Sequence, residues 1–267
     1  MVNITTIAFI IFTTLFTIFM PIAVAIFFHK KVKFKWGALF AGVIVFVLMQ
    51  MVIRIPILQV VLPKMQWYRD MSENIWLYAI FLGLTAGLFE EIGRYIAFKT
   101  VLKKHLEWKN GVAFGIGHGG IESIIIIGLT YLSNLYMSFM INSGLFDTTI
   151  APTMPQELVT YLKNQLIGLP SYIFIVPSIE RLFAFIIHIG FSVLVMLGIK
   201  KGKGLLYLTL AVLLHMLLDA PAVILNSYGV SIWLIEAFIL VSTIVSIVFI
   251  IKTGKKENKV QEGDWIS

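Results

Sequence analysis

The chain contains no cysteine. That excludes disulfides, iron–sulfur clusters, thiolate zinc sites and a cysteine nucleophile. Charge is also scarce, at 13% of 267 residues against 59% apolar, far from the balance of a soluble domain. No repeat, low-complexity tract or linker divides the sequence, and no soluble domain remains once the apolar runs are removed. The helical pattern His-Glu-x-x-His is absent. The first apolar run has no basic segment ahead of it and carries its lysines on the far side, at Lys30, Lys31, Lys33 and Lys35. It reads as a retained span, not a cleaved signal peptide.

Long apolar runs are what the sequence has in abundance. Seven can be drawn, at about 4–28, 37–62, 76–99, 111–142, 169–198, 205–225 and 231–251, each with at least roughly the 20 residues that cross a bilayer as helix. The expectation is an all-α integral membrane protein, one polytopic domain over 1–267 with a short tail at 252–267. The net charge of +7 is arranged as a topology signal, so no nucleic-acid partner is expected. Segments 29–36, 99–110, 199–204 and the tail carry four, four, three and four Lys/Arg, while the alternate loops hold only Lys64, Arg69 and Lys163. This asymmetry orients the N-terminus outside and the C-terminus in the cytosol of a multi-pass cell-membrane protein. In the second run Arg54 is expected to snorkel outward. Between runs four and five, Thr153 and Gln156 suit a cap for a short amphipathic interfacial helix.

Ionisable groups inside spans are costly, at least about 2.5–3.5 kcal/mol each on the insertion scale, and call for partners or a purpose. Four runs carry them in clusters of two or three. The third has Glu90, Glu91 and Arg94; on a helix Arg94 can reach either carboxylate, while the two glutamates point about 100° apart. One glutamate can thus pair with the arginine as the other faces inward. The fourth run has His118 and Glu122 one turn apart, the fifth Glu180, Arg181 and His188, the sixth His215 and Asp219. Counted from the basic ends of their runs at 1.5 Å per residue, Glu90, His118, His188 and His215 fall at similar depth, roughly 10–15 Å in. A polar site buried between helices 3, 4, 5 and 6 is therefore expected, with Glu122, Glu180 and Arg181 supporting it or lining a wet path. Small residues four apart, Gly83 with Gly87 and Gly115 with Gly119, permit close helix approach.

Carboxylates and imidazoles without cysteine point to general acid–base chemistry. Glu90 with His118 suits activation of a water for attack on an amide, and His215 with Asp219 suits stabilisation of the oxyanion. Three histidines with a glutamate can also bind Zn²⁺. A non-catalytic membrane regulator or scaffold would keep such a cluster for helix register. A transporter is disfavoured by the lack of an inverted repeat.

Glu90-Glu91-x-x-Arg94, Phe114-x-x-x-His118 and His215-x-x-x-Asp219 resemble the three motifs of the CPBP (CAAX protease and bacteriocin-processing) intramembrane peptidases. Gly117-His118-Gly-Gly-Ile-Glu122, with Glu180-Arg181 ahead of His188, looks more closely like the bacterial YhfC branch. The resemblance covers about residues 76–225. It implies a bacterial intramembrane endopeptidase acting on membrane-anchored proteins or peptides, of glutamic type, with Glu90, Glu91, Arg94, His118, His188, His215 and Asp219 at the catalytic centre. No cofactor is expected on that reading; its alternative is Zn²⁺ on His118, His188 and His215. Members that act as regulators or immunity proteins supply the non-catalytic alternative. Asp219 departs from the asparagine of the eukaryotic prenyl-protein endopeptidases, and the reading taken is that it orients His215.

Overall fold

The computed structural model describes residues 1–263, with side chains through Glu257. Among these residues every regular element is helical. Seven helices are long and apolar enough to cross a membrane: Ile4–Val32, Trp36–Lys64, Ile75–Lys99, Trp108–Asn142, Ser171–Lys200, Gly204–Ser227 and Ile232–Glu257. They are called the first to seventh spans below, and they match the seven apolar runs to within a few residues. Burial is inverted relative to a soluble protein. Ile44, Leu217 and Val245 are more than half exposed, while Glu91, Arg94 and His118 have no exposed surface. That is the pattern of a chain whose solvent is lipid.

The helices cluster into two compact units, Met1–Ala23 with Glu122–Leu182, and Val24–Ile121 with the chain from Phe183 onward. In the first unit Val2, Ile7, Ile10, Tyr131, Leu166 and Phe174 form an apolar core. Hydroxyls tie it together: Thr13 Oγ1 donates to the Phe174 carbonyl at 2.7 Å and Ser123 Oγ to that of Thr17 at 3.1 Å. Thr14 and Thr17 return their hydroxyl protons to carbonyls one turn back, satisfying themselves where no water is at hand. The short helix expected in the long connection forms at Gln156–Lys163, but Thr153 does not cap it. Pro155 occupies that position, and the Thr153 hydroxyl donates to the Ile150 carbonyl at 2.7 Å.

In the second unit the third and sixth spans pair along much of their length. The third starts on Asn74, whose side-chain oxygen accepts from the backbone N–H of Trp76 and Leu77 at 3.0 and 3.2 Å, an N-cap. Ala79, Gly83 and Gly87 then form a small-residue stripe. A Cβ at Gly87 would come within 2.8 Å of the Val212 carbonyl oxygen, and one at Gly83 within 3.1 Å of the Ala220 nitrogen. Lipid tails are as apolar as the helices, so backbone approach of this kind drives association. Gly119 does the same for the fifth span: a Cβ there would stand 3.2 Å from the Cβ of His188 and the Cα of Phe185.

The second span is regular only to Phe46. Val47–Arg54 and Ile57–Val61 are π-helical, the backbone N–H of Ile55 reaching back to the Gln50 carbonyl. Pro56 lacks an N–H and crowds the turn before it, a recognised cause of such widening. Arg54, expected to snorkel outward, finds partners in the protein: its guanidinium donates to the Leu82 carbonyl of the third span at 2.8 Å.

Candidate active site

Four side chains from four spans of the second unit meet at one carboxylate oxygen. Glu90 Oε2, on the third span, lies 2.9 Å from His118 Nε2, 3.6 Å from His188 Nδ1 and 3.9 Å from His215 Nε2. The ring centroids of His118 and His188 are 5.0 Å apart, and those of His188 and His215 5.7 Å. All four residues are buried. The two glycine stripes bring them there, Gly87 against His215 and Gly119 against His188. Aromatic rings hold the imidazoles from outside: Phe46 meets His118 edge-on, and Phe191 stacks on His215 at 5.3 Å with planes 13° apart.

Glu91 serves a different pair. It accepts from Arg94, both side chains wholly buried, and lies 3.1 Å from His215 Nδ1. As acceptor from Nδ1–H it leaves the lone pair of His215 on Nε2, the nitrogen that faces Glu90. Arg94 Nη2 also lies 3.3 Å from His188 Nδ1. The guanidinium thus bridges the Glu91 carboxylate and a second imidazole of the cluster. The geometry expected of the two glutamates, one paired with Arg94 and the other turned inward, is the one observed, with His215 added to the partners of Glu91.

Asp219 also faces His215, its Oδ2 3.6 Å from His215 Nε2, with its side chain 43% exposed. The nearer carboxylate is Glu91 on the neighbouring span, 3.1 Å from His215 Nδ1. Glu122, Glu180 and Arg181 belong to the first unit and pair among themselves: Arg181 donates to Glu122 at 2.6 Å and to Glu180 at 2.5 Å. Two residues of the second span enter unannounced by the sequence. Gln50 Nε2 donates to Glu90 Oε1, and Arg54 Nη1 donates to Gln50 Oε1 at 3.0 Å. A glutamine inside an apolar run was the only signal for the first.

Glu90, His118 and His188 offer donor atoms within 4.8 Å of one another, close enough to share a metal ion, and His215 Nε2 stands 3.9 Å from Glu90 Oε2. Two ligands bound at roughly 2.0–2.1 Å to a tetrahedral zinc stand about 3.3–3.4 Å from each other, within the 2.9–3.9 Å that separates Glu90 Oε2 from the three imidazole nitrogens. His118 Nε2 is hydrogen-bonded to Glu90 Oε2 at 2.9 Å, but at 3.6 and 3.9 Å the other two separations are too long for hydrogen bonds, so His188 and His215 face that oxygen without bonding to it. The usual support for a ligating histidine, a carboxylate on its other nitrogen, is present at His215. It is missing at His118, whose buried Nδ1 has no hydrogen-bond partner among the described residues.

Comparison with known proteins agrees with this chemistry. The family described as YhfC intramembrane metalloprotease matches residues 16–256. A protein named only as the uncharacterized membrane protein YhfC, from Bacillus subtilis (strain 168), is 33% identical over 205 residues, 77% of this chain and 79% of its own. No solved structure matches. The chain belongs to the YhfC intramembrane metalloprotease family.

Proposed function

We propose that this YhfC-family chain is an intramembrane endopeptidase that hydrolyses peptide bonds of membrane-anchored proteins or peptides at the Glu90–His118–His188–His215 cluster. The observation that carries the reading is the convergence of three imidazole nitrogens on one oxygen of Glu90, 2.9–3.9 Å away, in a site walled off from solvent. We take the site to be zinc-dependent, in preference to the metal-free glutamic site favoured on sequence alone, because two of those separations exceed hydrogen-bond length. His118, His188 and His215 would hold the ion with Glu90 beside them. Bound there, zinc lowers the pKa of water towards neutrality and polarises a carbonyl.

The chain's own groups have defined tasks on this reading. Glu90 takes the proton that the attacking water must lose and delivers it to the departing amine. Glu91 keeps the Nδ1 proton of His215 and so the lone pair on Nε2. Arg94 neutralises Glu91 and, with no metal bound, donates to His188 Nδ1, the nitrogen a metal would take in its place. Asp219, partly exposed, stands at the edge of the cluster, where a peptide would enter. We read the chain as one polytopic domain with its N-terminus outside and its tail in the cytosol, and the three motifs support a place in the CPBP superfamily and a bacterial origin.

The test is to purify the full chain in detergent, measure bound metal, and assay cleavage of a membrane-anchored peptide before and after chelation. Stoichiometric zinc, with cleavage lost on chelation and restored by zinc, is the expected result. Cleavage that ignores chelators in metal-free protein returns the site to unassisted Glu90 chemistry. A folded protein with neither metal nor cleavage is a regulator or scaffold.

A further inference from the structure

The second span carries no histidine and no acidic residue, yet it supplies the bond that holds the other oxygen of Glu90. Gln50 is 4% exposed. Its Nε2 donates to Glu90 Oε1, and its Oε1 accepts from Arg54 Nη1 at 3.0 Å. Arg54 is fixed in turn by the Leu82 carbonyl at 2.8 Å and by Thr85 Oγ1 at 3.3 Å. Arginine has donors only, so it dictates which end of the Gln50 amide faces Glu90. The oxygen must turn to Arg54 and the nitrogen to the carboxylate. The whole chain of bonds starts in the π-helical turn Val47–Arg54, the kind of local widening that recurs at functional sites.

We propose that Gln50 is a positioning residue, oriented by Arg54, that occupies Glu90 Oε1 so that Glu90 presents a single oxygen, Oε2, to the imidazole cluster. With Oε1 released, the carboxylate is free to rotate and offer both oxygens, or to lean away from His188 and His215. The inference rests on the zinc-peptidase reading of the site, because it concerns how Glu90 stands towards a metal. Loss of a hydrogen bond that orients a group of a metal site typically costs about 10–100-fold in metal affinity or activity.

The experiment uses the full chain in detergent and two probes, Zn²⁺ alone and Co²⁺ alone. Zinc affinity is read by competition with a chromophoric chelator, and the visible bands of bound cobalt report coordination geometry. Gln50→Met, of similar length but without the donor, is expected to raise the Kd for Zn²⁺ about 10–100-fold and to change the cobalt spectrum. Arg54→Met, which leaves Gln50 in place but free to flip, is expected to shift both readings in the same direction by less; it also decides the matter if Gln50→Met does not fold. The double variant should bind no more weakly than Gln50→Met, since the two residues act in series. Wild-type affinity and an unchanged cobalt spectrum in the folded variants, or additive losses in the double variant, overturn the inference and leave the zinc reading standing. A wild-type protein that takes up neither ion removes the zinc reading and the inference with it.

Discussion

His215 Nδ1 lies 3.1 Å from Glu91 Oε1 across the interface of the third and sixth spans. The same carboxylate neutralises Arg94, which has no exposed surface. A residue adjacent in sequence to Glu90 therefore governs the tautomer of an imidazole 124 positions away. The consequences separate the two glutamates experimentally.

Glu90→Gln keeps the size of the side chain and its bond from Gln50 but removes the proton acceptor. Cleavage of a membrane-anchored peptide is expected to fall by about 10²–10⁴-fold, the usual worth of a general base, with thermal unfolding nearly unchanged. Full activity in this variant would remove Glu90 from the mechanism.

Glu91→Ala acts first on stability. It leaves the Arg94 guanidinium unpaired in a site with no exposed surface, which costs about 3–5 kcal/mol. Lower membrane yield and a Tm reduced by several degrees are expected. Glu91→Gln, which retains an amide oxygen for Arg94, should lie between wild type and Glu91→Ala. A melting curve for Glu91→Ala that overlays the wild type refutes the assignment.

Gly87→Ala tests whether close helix approach builds the site. Its Cβ would stand 2.8 Å from the Val212 carbonyl and 3.2 Å from the His215 Cβ; overpacking of this kind costs about 1–3 kcal/mol. Displacement of His215 should also weaken zinc binding. Gly37→Ala, with nothing within 4 Å of the new methyl, should leave both readings unchanged. Equal behaviour of the two variants would show that the stripe does not set the position of His215.

Orientation is tested with reporter fusions. On the lysine asymmetry, the tail beyond Lys252 is expected in the cytosol and Met1 outside. A reporter active only in the cytosol should work at the C-terminus and fail at the N-terminus. Activity at both ends contradicts an odd number of spans.

Much of this was legible from residues alone. An apolar run of bilayer length admits only a helix in lipid, because every backbone group must be satisfied within the segment, so composition and run length suffice to draw the seven spans. Helical spacing put Arg94 within reach of Glu91 and turned Glu90 elsewhere, and the cost of charge in lipid marked the histidine-bearing runs as a set. Packing decided what spacing could not. Asp219 faces His215 because both lie on one helix face, but the Gly83–Gly87 stripe brings the third span so close that Glu91 comes nearer to the imidazole. Arg54 and Gln50 were illegible for a related reason. A residue count assumes about 3.6 residues per turn, and the second span abandons that repeat ahead of Pro56, in the turn that joins both side chains to Glu90. Periodicity along a helix is local and written in the sequence; which neighbour arrives first depends on how near two backbones come, and only the tertiary structure fixes that distance.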